Sequence, residues 1–186
     1  MRHARFAAIV VVVLIASSCT KSFSVPSIAL GPPPAVASNL GTAAIVLTPS
    51  AILDEYVTTI GANSYVYRGV RESFSRALLA KTRPVFTDVQ ILKDGSKATG
   101  FDFVLDPTLT VDTKDRGFGG QACRLKFSVV AKAKDGRIVS EHSSETDQRY
   151  MESGEKAFRI ASEAVFNAVL DAVIQDIDAA KKRAAP

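Results

Sequence analysis

CRLKFSVVAKAKDGRIVSEHSSETD, residues 123–147, is the stretch on which the fold turns. Cys123, Leu125, Phe127, Val129, Ala131 and Ala133 alternate with Arg124, Lys126, Ser128, Val130, Lys132 and Lys134. A period of two sends successive side chains to opposite faces, so this is a strand with one buried and one wet side. Asp135-Gly136 then predicts a two-residue type I′ turn, with a return strand from Arg137 to about Asp147. Pairing Lys134 with Arg137 sets the register. It places Arg124 opposite Asp147, Lys126 opposite Glu145 and His142 opposite Val129. Opposite charges across such pairs contribute roughly 0.2–1 kcal/mol each. The basic stripe is therefore answered within its own hairpin, and nucleic acid is not an expected partner.

Downstream, Gly154 to Lys182 reads as one long helix. Phe158, Ala161, Val165, Val169, Val173 and Ile177 form one face, which Ile160, Phe166, Leu170 and Ile174 widen. Ser153 suits its N-cap, and Lys181, Lys182 and Arg183 suit the negative end of its dipole. A face this wide predicts burial on a sheet plus contact with the first helix or a partner. Upstream, Val85–Leu92 and Gly100–Thr113 read as strands, with Pro107 implying an edge or a bulge. Asp115–Gly120 reads as a loop. The spacing predicts a first helix over Tyr65–Thr82. Val66, Val70, Phe74, Leu78 and Lys81 take one face, and Arg68, Arg71 and Arg76 the other. Gly69 marks a late start for it, and Pro84 ends it. Ala43–Leu47 reads as a buried strand, and Ala51–Ile60 as extended chain or a short turn of helix. The order predicts an α+β fold: a mainly antiparallel four- to five-stranded sheet with two helices packed on one face.

The first residues carry a different message. The chain has 186 residues with a net charge of +4 and 47% hydrophobic residues. That composition excludes a disordered chain. Arg2, His3 and Arg5 precede an unbroken apolar run from Ala7 to Ala16, too short to span a bilayer and suited to a secretory signal. Ala16-Ser17-Ser18-Cys19 follows, small residues and then a cysteine. This resembles the bacterial lipoprotein signal, although Ala16 stands where leucine is usual. The resemblance implies cleavage before Cys19 and acylation of Cys19. Thr20, in a position where aspartate would imply inner-membrane retention, favours the outer membrane. Loss of Arg2 and Arg5 lowers the charge to +2, so overall basicity is a weak argument for nucleic acid.

The expected organisation is a signal peptide (1–18), a lipidated Cys19 leading a Pro/Ser/Ala-rich tether (19–41), one periplasmic α+β domain (42–182) and a tail (183–186). Pro26 and Pro32-Pro33-Pro34 make the tether unfit for helix or sheet interior. Extended, twenty such residues would reach roughly 60 Å. Cys123, on the apolar side of its strand, is expected to be a small buried hydrophobe.

Motifs for chemistry are missing from the sequence. It has no phosphate-loop glycines, no H-E-x-x-H and no C-x-x-C. His142, with Ser140 and Ser144 at spacing two, lacks a signalled carboxylate and oxyanion site, so it is expected to be structural or interfacial. Asp102, Asp106, Asp112 and Asp115 lack the pattern of a calcium loop, so no metal is expected. No cofactor is expected either.

SVVAKAKDGRIVSEHSSET (128–146) and ASEAVFNAVLDAVIQDI (161–177), together with the cysteine signal and the element order, resemble small outer-membrane lipoproteins of the YajG-like family. A weaker topological similarity is to LptE, the plug of the lipopolysaccharide translocon. Lipoprotein subunits of some lipid-transport ABC systems are similar in size and anchoring. The resemblance implies a location and a fold, with no catalytic residue to carry over. The expected function is that of a membrane-anchored, non-enzymatic, periplasm-facing interaction or envelope-assembly module. The alternative is an accessory of lipid or lipopolysaccharide transport, with Arg68, Arg71 and Arg76 meeting anionic headgroups or a partner.

Overall fold

The computed structural model describes residues 19–32, 34–36, 39–60, 63–115, 121–149 and 154–184. The signal segment, the Ser153 cap and residues 116–120 of the expected loop lie outside them. In chain order the elements are β1 (Cys19–Ser24), β2 (Thr42–Val46), β3 (Glu55–Ile60), β4 (Asn63–Arg68), α1 (Val70–Thr82) and β5 (Asp88–Leu92). A 3-10 turn (Gly95–Lys97), β6 (Phe103–Asp115), β7 (Gln121–Ala133), β8 (Ile138–Arg149) and α2 (Gly154–Ala184) complete the fold.

The fold is α+β, but it holds two sheets and both are mixed. The larger has the order β5-β2-β6-β7-β8, with β2 parallel to both its neighbours and the rest antiparallel. The smaller has the order β1-β4-β3, with β1 parallel to β4. The single, mainly antiparallel sheet expected from the sequence is corrected accordingly. Parallel neighbours need a crossover, and α1 lies on the connection from β2 to β5.

The long hairpin has the expected pairs: Arg124 opposite Asp147, Lys126 opposite Glu145 and Val129 opposite His142. Its tip differs. Gly136 is left-handed (φ 83°) while Asp135 is not, and a type I′ turn needs both. Gly136 N donates to Ala133 O and Ala133 N to Arg137 O, so the loop holds three residues. An irregularity beyond Ala131/Lys132 absorbs the extra residue and restores the register.

Helix α1 begins at Val70, after Gly69 at φ 73°, and Asn63–Arg68 is strand β4. The residues 65–68 expected to be helical are extended because Tyr65 and Tyr67, two apart, both point into the core. Pro107 lies within β6. Neighbouring Leu109 N points away from β7, to Ala51 O, so the Pro107 nitrogen points the same way. There β2 has already ended its pairing, at Leu105, and no ladder bond is lost.

Both helices meet the inner face of the large sheet at Phe127. Phe74 of α1, Phe127 of β7 and Phe166 of α2 have ring centroids 5.5–5.9 Å apart. The wide apolar face of α2 is used internally, against β7, β8, α1 and the smaller sheet. The opposite face of β6–β8 carries charges. Lys132 pairs with Asp106 at 2.7 Å, and Arg124 with Glu145.

The expected tether is also corrected. Cys19–Ser24 is a strand, and residues beyond it lie on the body. Phe23 stacks by Tyr65 and Tyr67 and approaches Gly154 so closely that a Cβ there would come within 2.3 Å of its ring. Ile28 and Leu40 are buried. Lys81, 2% exposed, forms an ion pair with Asp171 at 2.8 Å. It also donates to Gly31 O, Pro32 O and Asn167 Oδ1. Proline carbonyls remain good acceptors, so a proline-rich stretch barred from helix can still be tied down by side chains.

Candidate functional site

Two places combine chemistry with shape. The first is a tie between β8 and α2. Ser140 Oγ donates to Asp176 Oδ2 at 2.9 Å, and His142 Nε2 lies 2.8 Å from the same oxygen. The hairpin register points Ser140 and His142 inwards, and α2 supplies the carboxylate the sequence had not signalled. Burial pushes the Asp176 carboxyl up. The bonds from His142 and Ser140, with Arg183 nearby, more than offset this and hold it below the ordinary aspartate value. Serine and histidine converge on one oxygen, and the group ties strand to helix. Asp176 shares a helix with many buried apolar residues. Its only sequence signal is a carboxylate beside the face formed by Val173 and Ile177.

The second place is a groove where the β7–β8 turn, the start of β6 and the last turns of α2 meet. Its cavity is about 530 Å³, within the range of ligand pockets, about 300–1,000 Å³. Leu40, Phe103, Ala133, Val139, Ala180 and Ala184 supply its apolar walls. Lys134, Arg137, Lys181, Asp102 and Asp135 edge it. Asp102 is occupied by Thr42, whose backbone N donates at 2.8 Å and whose hydroxyl donates at 3.0 Å. The backbone bond from Thr42 holds this carboxyl low against the opposing effect of burial, with Lys134 and Lys181 adding attraction.

Of the three arginines singled out in the sequence, two come together. Arg68 and Arg76 border one shallow depression with Ser24, Ser27 and Glu72. Arg68 pairs with Glu55 at 2.8 Å and Arg76 with Glu72. Arg71 turns away and donates to Ile52 O and Pro49 O, stapling the loop before β3. The aspartates do not gather. Asp106 pairs with Lys132, and Asp112 accepts from Thr113 N. Among the described residues no cluster of potential ligands could hold a metal. Cys123 is fully buried, and burial, then Asp147 and Asp112, push its thiol far up, so it stays protonated and unreactive. Cys19 is exposed as the first residue of β1.

Cys19 and the groove lie at opposite ends of the molecule. Cys19 pairs with Asn63, which also pairs with Ile60. Along β6, Tyr56 OH bonds Leu109 O and Thr58 bonds Thr113, so β3 runs towards the Asp115 end. The groove is at the Phe103 end. Thirteen residues of β6 separate the two, about 40 Å at about 3.3 Å each.

No protein-family model matches the chain, and no curated protein matches it. Its fold is similar to that of protein XCC0632 from Xanthomonas campestris, assigned to the family DUF330. The TM-score is 0.56 at 10% identity, covering 89% of this chain and 99% of that one. A PelC dodecamer from Paraburkholderia phytofirmans is more distantly similar, with a TM-score of 0.43 and 12% identity over 80% of this chain and 93% of that one. At these identities the likeness is one of architecture: the chain shares the fold of XCC0632.

Proposed function

We propose that the protein is a lipoprotein, acylated at Cys19, anchored to the outer membrane and facing the periplasm, where it serves as a non-enzymatic interaction module of the YajG-like kind. The observation that carries this reading is the position of Cys19. It follows a short apolar run and three small residues, and it is exposed at the tip of the first strand. An acyl group there projects from the body without obstructing the core. Three chains at one N-terminus give stable anchoring, where one gives only marginal binding. Because β1 starts at Cys19 itself, the body would sit against the headgroups with no slack. The tie of Ser140, His142 and Asp176 fits a non-enzymatic protein.

The test is metabolic labelling with a palmitate analogue. The wild-type chain should be labelled and fractionate with membranes, and Cys19→Ala should be unlabelled and released. Unchanged labelling and fractionation of Cys19→Ala would refute the anchor.

A second reading, accessory to lipid or lipopolysaccharide transport, is favoured by the groove, since an apolar cleft of this volume suits a hydrocarbon chain. The arginines support it less. Arg68 pairs with Ser24, at the end of β1 away from Cys19. It therefore stands about 17 Å from an anchored bilayer by strand length.

A further inference from the structure

The division of the groove between apolar walls and a charged rim identifies its ligand. The rim has three cations and two carboxylates, which leaves one positive charge unmatched. Asp102 accepts from Thr42, and Asp135 accepts from the backbone N of Arg137 at 3.0 Å. The cations are loosely held. Arg137 Nε lies 3.9 Å from Asp135, and Lys181 donates to a neutral acceptor, Asn39 O, at 2.6 Å. The Lys134 side chain makes no hydrogen bond or ion pair among the described residues, and its attraction is to Asp102. Under-neutralised cations beside a hydrocarbon-lined trough match a molecule with the same division. The Arg68–Arg76 depression differs on both counts: its cations are paired, and Val25 is the one apolar side chain among its lining residues.

We propose that this groove binds a single-chain anionic amphiphile, with its hydrocarbon along Leu40, Phe103, Val139 and Ala180 and its acidic head against Lys134, Arg137 and Lys181. The proposal deepens the transport reading, on which its biological setting rests. Position adds a second element. With Cys19 in a bilayer, the groove faces away from that bilayer at about 40 Å by strand length, so the amphiphile is exchanged with a partner or the aqueous phase and not drawn from the anchoring leaflet.

The test is equilibrium binding of radiolabelled hexadecanoic acid, below its micelle concentration, to the full chain carrying Cys19→Ala, which removes any competing covalent acyl group. One saturable equivalent is expected. Hexadecanol, with the same chain and no charge, should bind about tenfold more weakly or worse, as should hexadecanoic acid to a Lys134→Glu/Arg137→Glu variant, because each loses a charge-assisted contact. Ala180→Trp should fill the trough and remove binding at an unchanged unfolding midpoint. If that variant fails to fold, the rim variant, altered only at the surface, decides. An anionic lysophospholipid competing equally well would assign the site to acidic heads in general; no competition would restrict it to carboxylates. Absence of saturable binding, equal affinity for hexadecanol, or full affinity in the rim variant would overturn the proposal. Palmitate labelling of Cys19 reads the anchor separately, so either idea can fail alone.

Discussion

The two sheets are held together by different means. In the larger, β6, β7 and β8 are sequence neighbours of 12 to 13 residues each, paired antiparallel; the inner face of β6 and β7 is mainly Leu, Val and Phe, and β8 turns Ser140 and His142 inwards. In the smaller, three strands of six residues present Tyr56, Tyr65, Tyr67 and Phe23 inwards, and its edge strand arrives from the N-terminus, across the chain from its partner β4. The larger sheet supplies most of a core shared with α1 and α2. The smaller joins it through Tyr67 on Phe158 and is tied to β6 by hydroxyls: Tyr56 to Leu109 O, Thr58 to Thr113. Local pairing gives a cooperative centre, and the late-paired sheet is an attachment to it, the kind of region that opens at lower free energy.

Three substitutions test that contrast. The largest effect should come from Phe127→Ala, which removes the ring at which both helices meet the large sheet. It should cost about 3–5 kcal/mol, read as a fall in the denaturant midpoint, and hydrogen exchange should accelerate in both sheets together. Gly154→Ala should cost less, about 1–3 kcal/mol, because its Cβ must displace Phe23. Here exchange should quicken in residues 19–24 and leave β7 and β8 unchanged; equal acceleration everywhere would show that the two sheets open as one.

The smallest effect should come from Asp176→Asn, under about 1 kcal/mol because the group is partly exposed. Its sign follows from the lowered value of Asp176. The tie stabilises the fold fully above the ordinary aspartate range and is lost as pH falls through the lowered value. The variant should therefore lose that acid step in stability, measured from pH 2 to 7. Persistence of the step would assign it to other carboxylates.

The same contrast explains what the sequence discloses. The hairpin register, the buried Cys123 and the extent of α2 are legible because strict periodicity and a turn signal act over short distances. The smaller sheet is not. CTKSFS in β1 has one aromatic residue, and its burial depends on a glycine 131 positions away. Val66 of β4 and Val70 of α1 mimic a helical spacing, while the alternation of Tyr65 and Tyr67 is the signal that governs β4. At the candidate sites, His142 and Ser140 are legible as an inward polar pair, but their acceptor Asp176 is tertiary. The groove is assembled from four separate segments, and no local pattern announces it.

The union of β1 with β4 has a temporal consequence for an acylated Cys19. On the proposed export, Cys19 would leave the channel before Tyr65, Tyr67 and Gly154, to which Phe23 must dock. Until those residues arrived, the cysteine would stand on a loose segment open to an acylating enzyme. Closure of a contact so distant along the chain is slow relative to local hairpins. Modification can therefore precede locking, after which detaching the body from its lipid would require peeling the strand from its sheet.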